Sequence, residues 1–223
     1  MKTIAIVMAI SISGLVACTT LPEPADNPSV TLKNTAAQGN PIVAGLVESG
    51  PTAIELNSAE EELYKRIMEY RKANGLPEIP VSKSLSFVAK LHVRDLESHN
   101  VPTSSNAHSW SSNGPWQSVN YTPDHRHAKL RWAKPRELTK YTGNGYEIVY
   151  MNSASARVQD AFVAWRASKS HDTVMLNQDG WRRINWNAIG VGIFGRYAAV
   201  WFGEEMDPEP QPSAGLQSRL ASR

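Results

Sequence analysis

Residues 165–181 read Trp-Arg-Ala-Ser-Lys-Ser-His-Asp-Thr-Val-Met-Leu-Asn-Gln-Asp-Gly-Trp, with His171 near the middle. The elements on either side can be read from periodicity. Upstream, in Ser153 to Ala167, Val158, Ala161, Phe162 and Trp165 recur at three-and-four spacing. This predicts a helix with one apolar face that ends at a turn of Ser168, Lys169 and Ser170. Downstream, Ile189, Val191 and Ile193 alternate with glycines, and a second apolar run covers Ala198 to Phe202. Two strands joined by a hairpin turn at Gly195-Arg196 are the expectation. A helix, a histidine and a hairpin thus arrive in that order, and a histidine in a polar turn between packed elements is either a surface residue or one wall of a site.

Working outward, the helix pattern repeats twice. Ser58-Ala59-Glu60-Glu61 has the form of a capping box, with Leu63, Ile67 and Tyr70 as the buried stripe and Asn74-Gly75 as the stop. Arg71 and Lys72 suit the C-terminal end of that helix dipole. A second helix is expected from about Ser84 to Ser98, with Leu85, Val88, His92 and Leu96 on one face, where His92 reads as a satisfied core histidine. From Asn100 to Gly145 periodicity fails, and Asn113-Gly114-Pro115, Tyr121-Thr122-Pro123-Asp124 and Thr142-Gly143-Asn144-Gly145 are turn chemistry. Within it, Asp124 and the apolar Ala128, Leu130 and Trp132 suggest a short helix over 125–132. So long an irregular stretch inside one domain points either to function or to elements that the pattern does not reveal.

Composition sets the class. The chain has 223 residues, 41% hydrophobic and 20% charged, which fits one globular domain with appendages. A net charge of +2 without a basic cluster excludes a nucleic-acid binder. Of seven tryptophans, five lie from Trp132 onward and imply a large aromatic core there.

Residues 1–17 form a secretory signal: Lys2 is followed by the apolar run Ile4 to Val16, too short to span a bilayer. Leu15-Val16-Ala17-Cys18 resembles the lipobox of bacterial lipoproteins, which implies acylation of Cys18 and a membrane anchor. Thr19 in place of Asp implies, by the same resemblance, the outer membrane. Because Cys18 is the only cysteine, no internal disulfide is expected. Residues 18–57, with prolines at 22, 24, 28, 41 and 51, read as a tether, though the apolar 42–47 piece also suits an irregular part of the domain. The tail 208–223, with prolines at 208, 210 and 212, reads as disordered and leaves 58–207 as the domain.

Familiar catalytic motifs are absent. Gly190-Val191-Gly192-Ile193-Phe194-Gly195 matches a dinucleotide fingerprint in letters, but a second strand follows it instead of a helix, so no nucleotide cofactor is expected. His125 and His127 would share a face on an extended segment, but Arg126 and Lys129 crowd them with positive charge, which favours a solvated surface over a metal pair.

Trp165, Ser168, Ser170, His171, Leu176, Asn177 and Ile189-Gly190-Val191-Gly192-Ile193, together with Glu-Tyr-Arg-Lys-Ala-Asn-Gly-Leu at 69–76, resemble the CAP superfamily, also called SCP or PR-1-like. The resemblance implies an α+β fold, a three-layer α-β-α sandwich with a central antiparallel sheet. It also carries family positions onto His108 in Ala-His-Ser-Trp, Glu147 in Gly-Asn-Gly-Tyr-Glu-Ile and His171. Two imidazoles and a carboxylate suit zinc or another divalent cation with one open position; they equally suit a hydrogen-bonded polar cluster that orders the cleft. Ser168 stands where eukaryotic members have a second glutamate. Three functions follow as expectations: a binding module for a lipid-like, peptide or glycan ligand, a metal-dependent hydrolase with Glu147 as general base, or a structural envelope protein.

Overall fold

The computed structural model describes residues 41–99 and 106–209, all in one compact unit. The signal 1–17, Cys18, residues 18–40 of the expected tether and 210–223 of the expected tail lie outside the described residues. In chain order the elements are α1 (Pro41–Ser49), α2 (Ser58–Ala73), α3 (Lys83–Ser98), α4 (Ala128–Trp132), α5 (Lys134–Leu138), β1 (Gly145–Met151), α6 (Val158–Ala167), α7 (Lys169–Met175), β2 (Ala188–Phe194) and β3 (Tyr197–Gly203).

The sheet is antiparallel in the order β1-β3-β2, so the last strand in sequence sits in the middle. Its side chains alternate between two buried faces, as a strand covered on both sides requires. Ala198, Val200 and Phe202 point into one core with Leu63 and Ile67 of α2, Phe162 and Trp165 of α6, and Ile189 and Val191 of β2. Tyr197, Ala199 and Trp201 point into the other, with Leu85, Ala89, Val93 and Leu96 of α3. This is the expected α+β sandwich of three layers. Burying each large apolar side chain contributes about 1.5–3 kcal/mol, and both faces of one strand serve at once.

The glycines of β2 set how closely α3 lies on the sheet. A Cβ on Gly190 would fall 2.1 Å from the Leu85 carbonyl carbon, and one on Gly192 would fall 2.6 Å from that of Ala89. Only residues without a side chain let helix backbone and strand backbone touch at both places. The segment before α3 is pinned to the same strand, because Ser82 N–H donates to Ile189 O at 2.8 Å and Ile189 N–H to Pro80 O at 3.0 Å.

Several boundaries differ from the sequence reading. The capping box is one residue earlier: Asn57 is the N-cap, its Oδ1 accepts from Glu60 N–H at 3.0 Å, and Glu60 reaches back to Asn57 N–H at 2.9 Å. Asparagine caps as well as serine, and Glu60 is also drawn inward to pair with the buried Lys90. The predicted helix over 153–167 begins only at Val158, and the expected turn after it is the start of α7, so His171 stands on a helix. The expected helix over 125–132 starts at Ala128 without a side-chain cap, and Asp124 instead accepts from Thr122 Oγ1 at 2.6 Å.

Both ends of the domain also reach further than expected. The tether over 18–57 is corrected at its C-terminal part: residues 41–49 form α1, and Val43 and Ile54 are buried in the α3-side core. Of the tail assigned to 208–223, residues 208 and 209 are described, and Glu209 is buried. Asp207 takes Ser82 Oγ at 2.6 Å, Ser84 N–H at 2.8 Å and Ser84 Oγ at 2.7 Å, and so completes the N-terminus of α3 from the far end of the chain.

Candidate functional site

Glu147 lies in the middle of β1, paired across the sheet with Trp201. Tyr146, Ile148 and Tyr150 face the α2 and α6 side, so strand alternation turns Glu147 toward α3. One of its oxygens accepts from His92 Nδ1 of α3 and the other from His108 Nδ1 at 2.8 Å. His108 comes from the loop just before Trp110, where an isolated bridge to Val119 fixes the backbone. The Glu147 side chain is 0% exposed and that of His108 is 20% exposed, so the cluster runs from the core to the surface.

His92 is buried and hydrogen-bonded at both ring nitrogens, Nε2 meeting the Ser109 carbonyl at 2.9 Å. A carbonyl and an ionised carboxylate can only accept, which requires protons on both nitrogens and makes His92 an imidazolium. Burial works against that charge, but Glu147 more than offsets it and His92 is raised above the ordinary histidine value. Glu147 answers in kind: burial would raise it, yet the His92 charge and the two imidazole hydrogen bonds bring it down to about 2. The ring of His92 stacks on Trp110 at 4.3 Å and 3°, which adds a cation–π contact.

His108 has the opposite character. Burial, joined by the charges of Arg131 and His92, outweighs the pull of Glu147 and lowers it, so its ring is neutral. With Nδ1–H given to Glu147, Nε2 is left as a lone pair at the mouth of the cluster. His171 is lowered by burial and by His108, and its Nδ1 lies 2.8 Å from Ser168 Oγ, itself 3.1 Å from Ser170 Oγ. His108 and Glu147, expected together, are joined directly; His171 is within electrostatic reach of His108 and bonds within its own helix.

Further residues surround His108. Its ring meets Tyr121 edge-on at 5.6 Å, and the Arg131 guanidinium covers that same Tyr121 ring at 4.5 Å. Tyr121 Oη sits 2.6 Å from His125 Nδ1. No acidic side chain among the described residues pairs with Arg131, and its Nε is buried without an acceptor. His125 and His127 are exposed. His92, Arg131 and Tyr121 were not read as site residues from the sequence. The available signal for His92 was that a buried histidine needs a hydrogen-bond partner at each ring nitrogen, and on an apolar helix stripe only another element could supply both.

The expected divalent cation can be tested against these donors. Both Glu147 oxygens are occupied by ring nitrogens, its charge is balanced by His92, and Arg131 adds positive charge beside His108. Among the described residues no group of three or more His, Cys, Asp or Glu side chains is disposed to hold a metal ion. The set therefore does not match a three-ligand zinc site as it stands, and Glu147 acts as an orienting carboxylate behind His108.

No curated protein sequence matches the chain. Among solved structures, an outer surface protein from Borrelia burgdorferi is 20% identical with a TM-score of 0.46, over 68% of this chain and 96% of that one. A cysteine-rich secretory protein from Staphylococcus aureus subsp. aureus Mu50 is 19% identical with a TM-score of 0.44, over 68% of this chain and 40% of that one. An extracellular protein containing a SCP domain from Bacillus anthracis str. Ames is 14% identical with a TM-score of 0.46, over 69% of this chain and 45% of that one. The chain thus spans less than half the length of the last two. A family model, that of the cysteine-rich secretory protein family, matches residues 64–180, more than half of the 223. The chain belongs to the cysteine-rich secretory protein family, the CAP family.

Proposed function

We propose that this protein is a non-enzymatic binding module of the bacterial cell envelope, anchored by an acylated Cys18 at the outer membrane, with its cleft at His108, His171 and Arg131. One observation carries the reading. Glu147, the carboxylate bonded to both His92 and His108, is fully enclosed and engaged at both oxygens. A general base has to reach a water or a substrate proton, and a carboxylate held near 2 between two imidazoles is a poor proton acceptor at neutral pH. What Glu147 does well is hold His108 in one tautomer with Nε2 outward, which is useful for recognition. The extracellular and outer-surface relatives agree with a place outside the cytoplasm.

The test is a screen of ester and peptide substrates with the purified protein, beside His108→Ala and His171→Ala. The module reading expects no turnover above buffer in any of the three. Turnover that His171→Ala abolishes would establish the hydrolase instead.

A further inference from the structure

We infer that Trp132, Tyr146 and Trp181 form a second binding site, a platform for an uncharged glycan built of pyranose rings with equatorial hydroxyls. The site goes beyond the His108 cleft and shares no residue with it. The first observation is a convergence of rings. Ring centre to ring centre, Tyr146 lies 5.5 Å from Trp132 of α4, 5.0 Å from Trp181 and 5.5 Å from Trp186. Trp186 is buried and rests on Phe202 at 5.7 Å, whereas Trp132, Tyr146 and Trp181 are each half-buried. Three large aromatics from separate parts of the chain thus meet where β1 begins, and strand alternation directs Tyr146 to the face opposite Glu147. A single exposed apolar ring is ordinary, but a contiguous group of them marks a place where something binds.

The rings are held before any ligand arrives. Trp186 donates its Nε1–H to Val174 O at 2.9 Å and forms the floor. The loop that carries Trp181 is tied down at Asn177, whose Oδ1 accepts from the buried Arg71 at 2.7 Å and whose Nδ2 donates to Ile184 O at 2.8 Å. Trp132 keeps its Nε1–H buried, so what it leaves exposed is ring carbon. Rings fixed in advance have little freedom left to lose on binding.

The class of ligand follows from the rings and their rim. A pyranose with equatorial hydroxyls presents carbon-bound hydrogens on both faces, and their slight positive charge suits the negative face of an aromatic ring. Its hydroxyls each donate and accept, and the rim supplies both kinds of partner. The Tyr146 hydroxyl donates to Glu204 Oε1 at 3.1 Å, and the Asn144 side chain and the Arg136 charge bear on the same hydroxyl. The segments that carry the platform hold exposed Arg136, Arg182 and Arg183 against half-buried Glu204 and exposed Glu205. That near balance complements an uncharged glycan, whereas an anionic lipid surface would meet a carboxylate bonded to the central tyrosine.

The experiment uses the full-length chain carrying Cys18→Ser, so that the proposed acyl anchor takes no part. Cellohexaose and N-acetylchitohexaose are the probes, and vesicles of phosphatidylethanolamine and phosphatidylglycerol are the control. The indole Nε1–H signals of Trp132 and Trp181 are followed by NMR, and affinity is measured by calorimetry. The expected result is a saturable shift of both signals with at least one of the two sugars, none with vesicles, and binding weakened about tenfold or more by Trp181→Ala. Tyr146→Phe keeps the ring and its packing, removes the hydroxyl from the rim and weakens binding severalfold; it keeps the test decisive if Trp181→Ala fails to fold. The proposal is overturned if neither sugar produces a saturable shift, if vesicles shift the signals and the sugars do not, or if either variant, once folded, binds the sugar as the parent chain does.

Discussion

Replacing Glu147 by glutamine keeps the shape of the side chain and removes the charge that holds His92 protonated. The size of the effect follows from proton affinity. Glu147 falls from an ordinary 4.5 to about 2 in the folded protein, and each tenfold change in proton affinity is worth about 1.4 kcal/mol, so the folded state gains roughly 3 kcal/mol at neutral pH from binding the ionised form. The sign is set by the direction of the change. A depressed carboxylate contributes stability that is fully present above its unfolded value and is lost as pH falls through the range from 4.5 to about 2. Urea unfolding of the full-length chain, followed by tryptophan fluorescence, should therefore show Glu147→Gln less stable by roughly 3 kcal/mol at pH 7. That difference should narrow steadily as the pH is lowered below 4.5, because only the unaltered protein has the group to titrate. At roughly 2–4 °C per kcal/mol for a chain of this size, the melting temperature should drop by roughly 6–12 °C. A gap that stayed constant from pH 7 down to acid would refute the account of Glu147 as an ionised partner of His92, and so would a loss below about 1 kcal/mol.

Four other outcomes are expected. Gly190→Ala should cost at least about 1–3 kcal/mol in denaturant unfolding, because its methyl meets the rigid Leu85 backbone at 2.1 Å; an unchanged midpoint would mean that α3 does not rest on β2 as described. Asn57→Ala should lower stability by about 1 kcal/mol through loss of the cap on α2, whereas Ser58→Ala, at the position first expected to cap, should change it by much less. Zinc calorimetry should show no stoichiometric site that His108→Ala/His171→Ala removes; tight binding abolished by that pair would restore the metal reading. Cys18→Ser should abolish incorporation of labelled palmitate and release the protein from the membrane fraction, and a variant that stayed attached would rule out the lipid anchor.

The parts of the fold that could be read from sequence are those whose periodicity agrees with their burial. The α2 stripe, the α3 stripe and the β2–β3 hairpin each bury one regular face, and the glycine-spaced run of β2 reads correctly as close approach to a neighbour. β1 was missed because both of its faces are covered and one of them carries Glu147, which interrupts the apolar pattern of Tyr146, Ile148 and Val149 with a charge. That charge has its explanation 55 residues away in His92, and no local pattern can reveal such a pair. Likewise α1 is short and follows a run rich in prolines, so its helical character comes from packing on α3. At the site, His108 and Glu147 were legible through family resemblance alone. His92 was rightly seen as buried, but its burial was taken as the end of its role, when two accepting partners make it the cation that sets the state of the other two.

The central position of β3 and the reach of Asp207 bear on how the chain can become folded. A protein that emerges from its N-terminus has α2, α3, β1 and β2 available before the strand that joins β1 to β2 has appeared. The N-terminus of α3, which presents His92, likewise lacks its partner until Asp207 arrives. Folding therefore cannot advance piece by piece behind the emerging chain: the earlier elements wait with their apolar faces uncovered, and the domain closes in a single late step. A chain that stops before residue 207 should be degraded or aggregate, even though every residue of its ligand site has already been made.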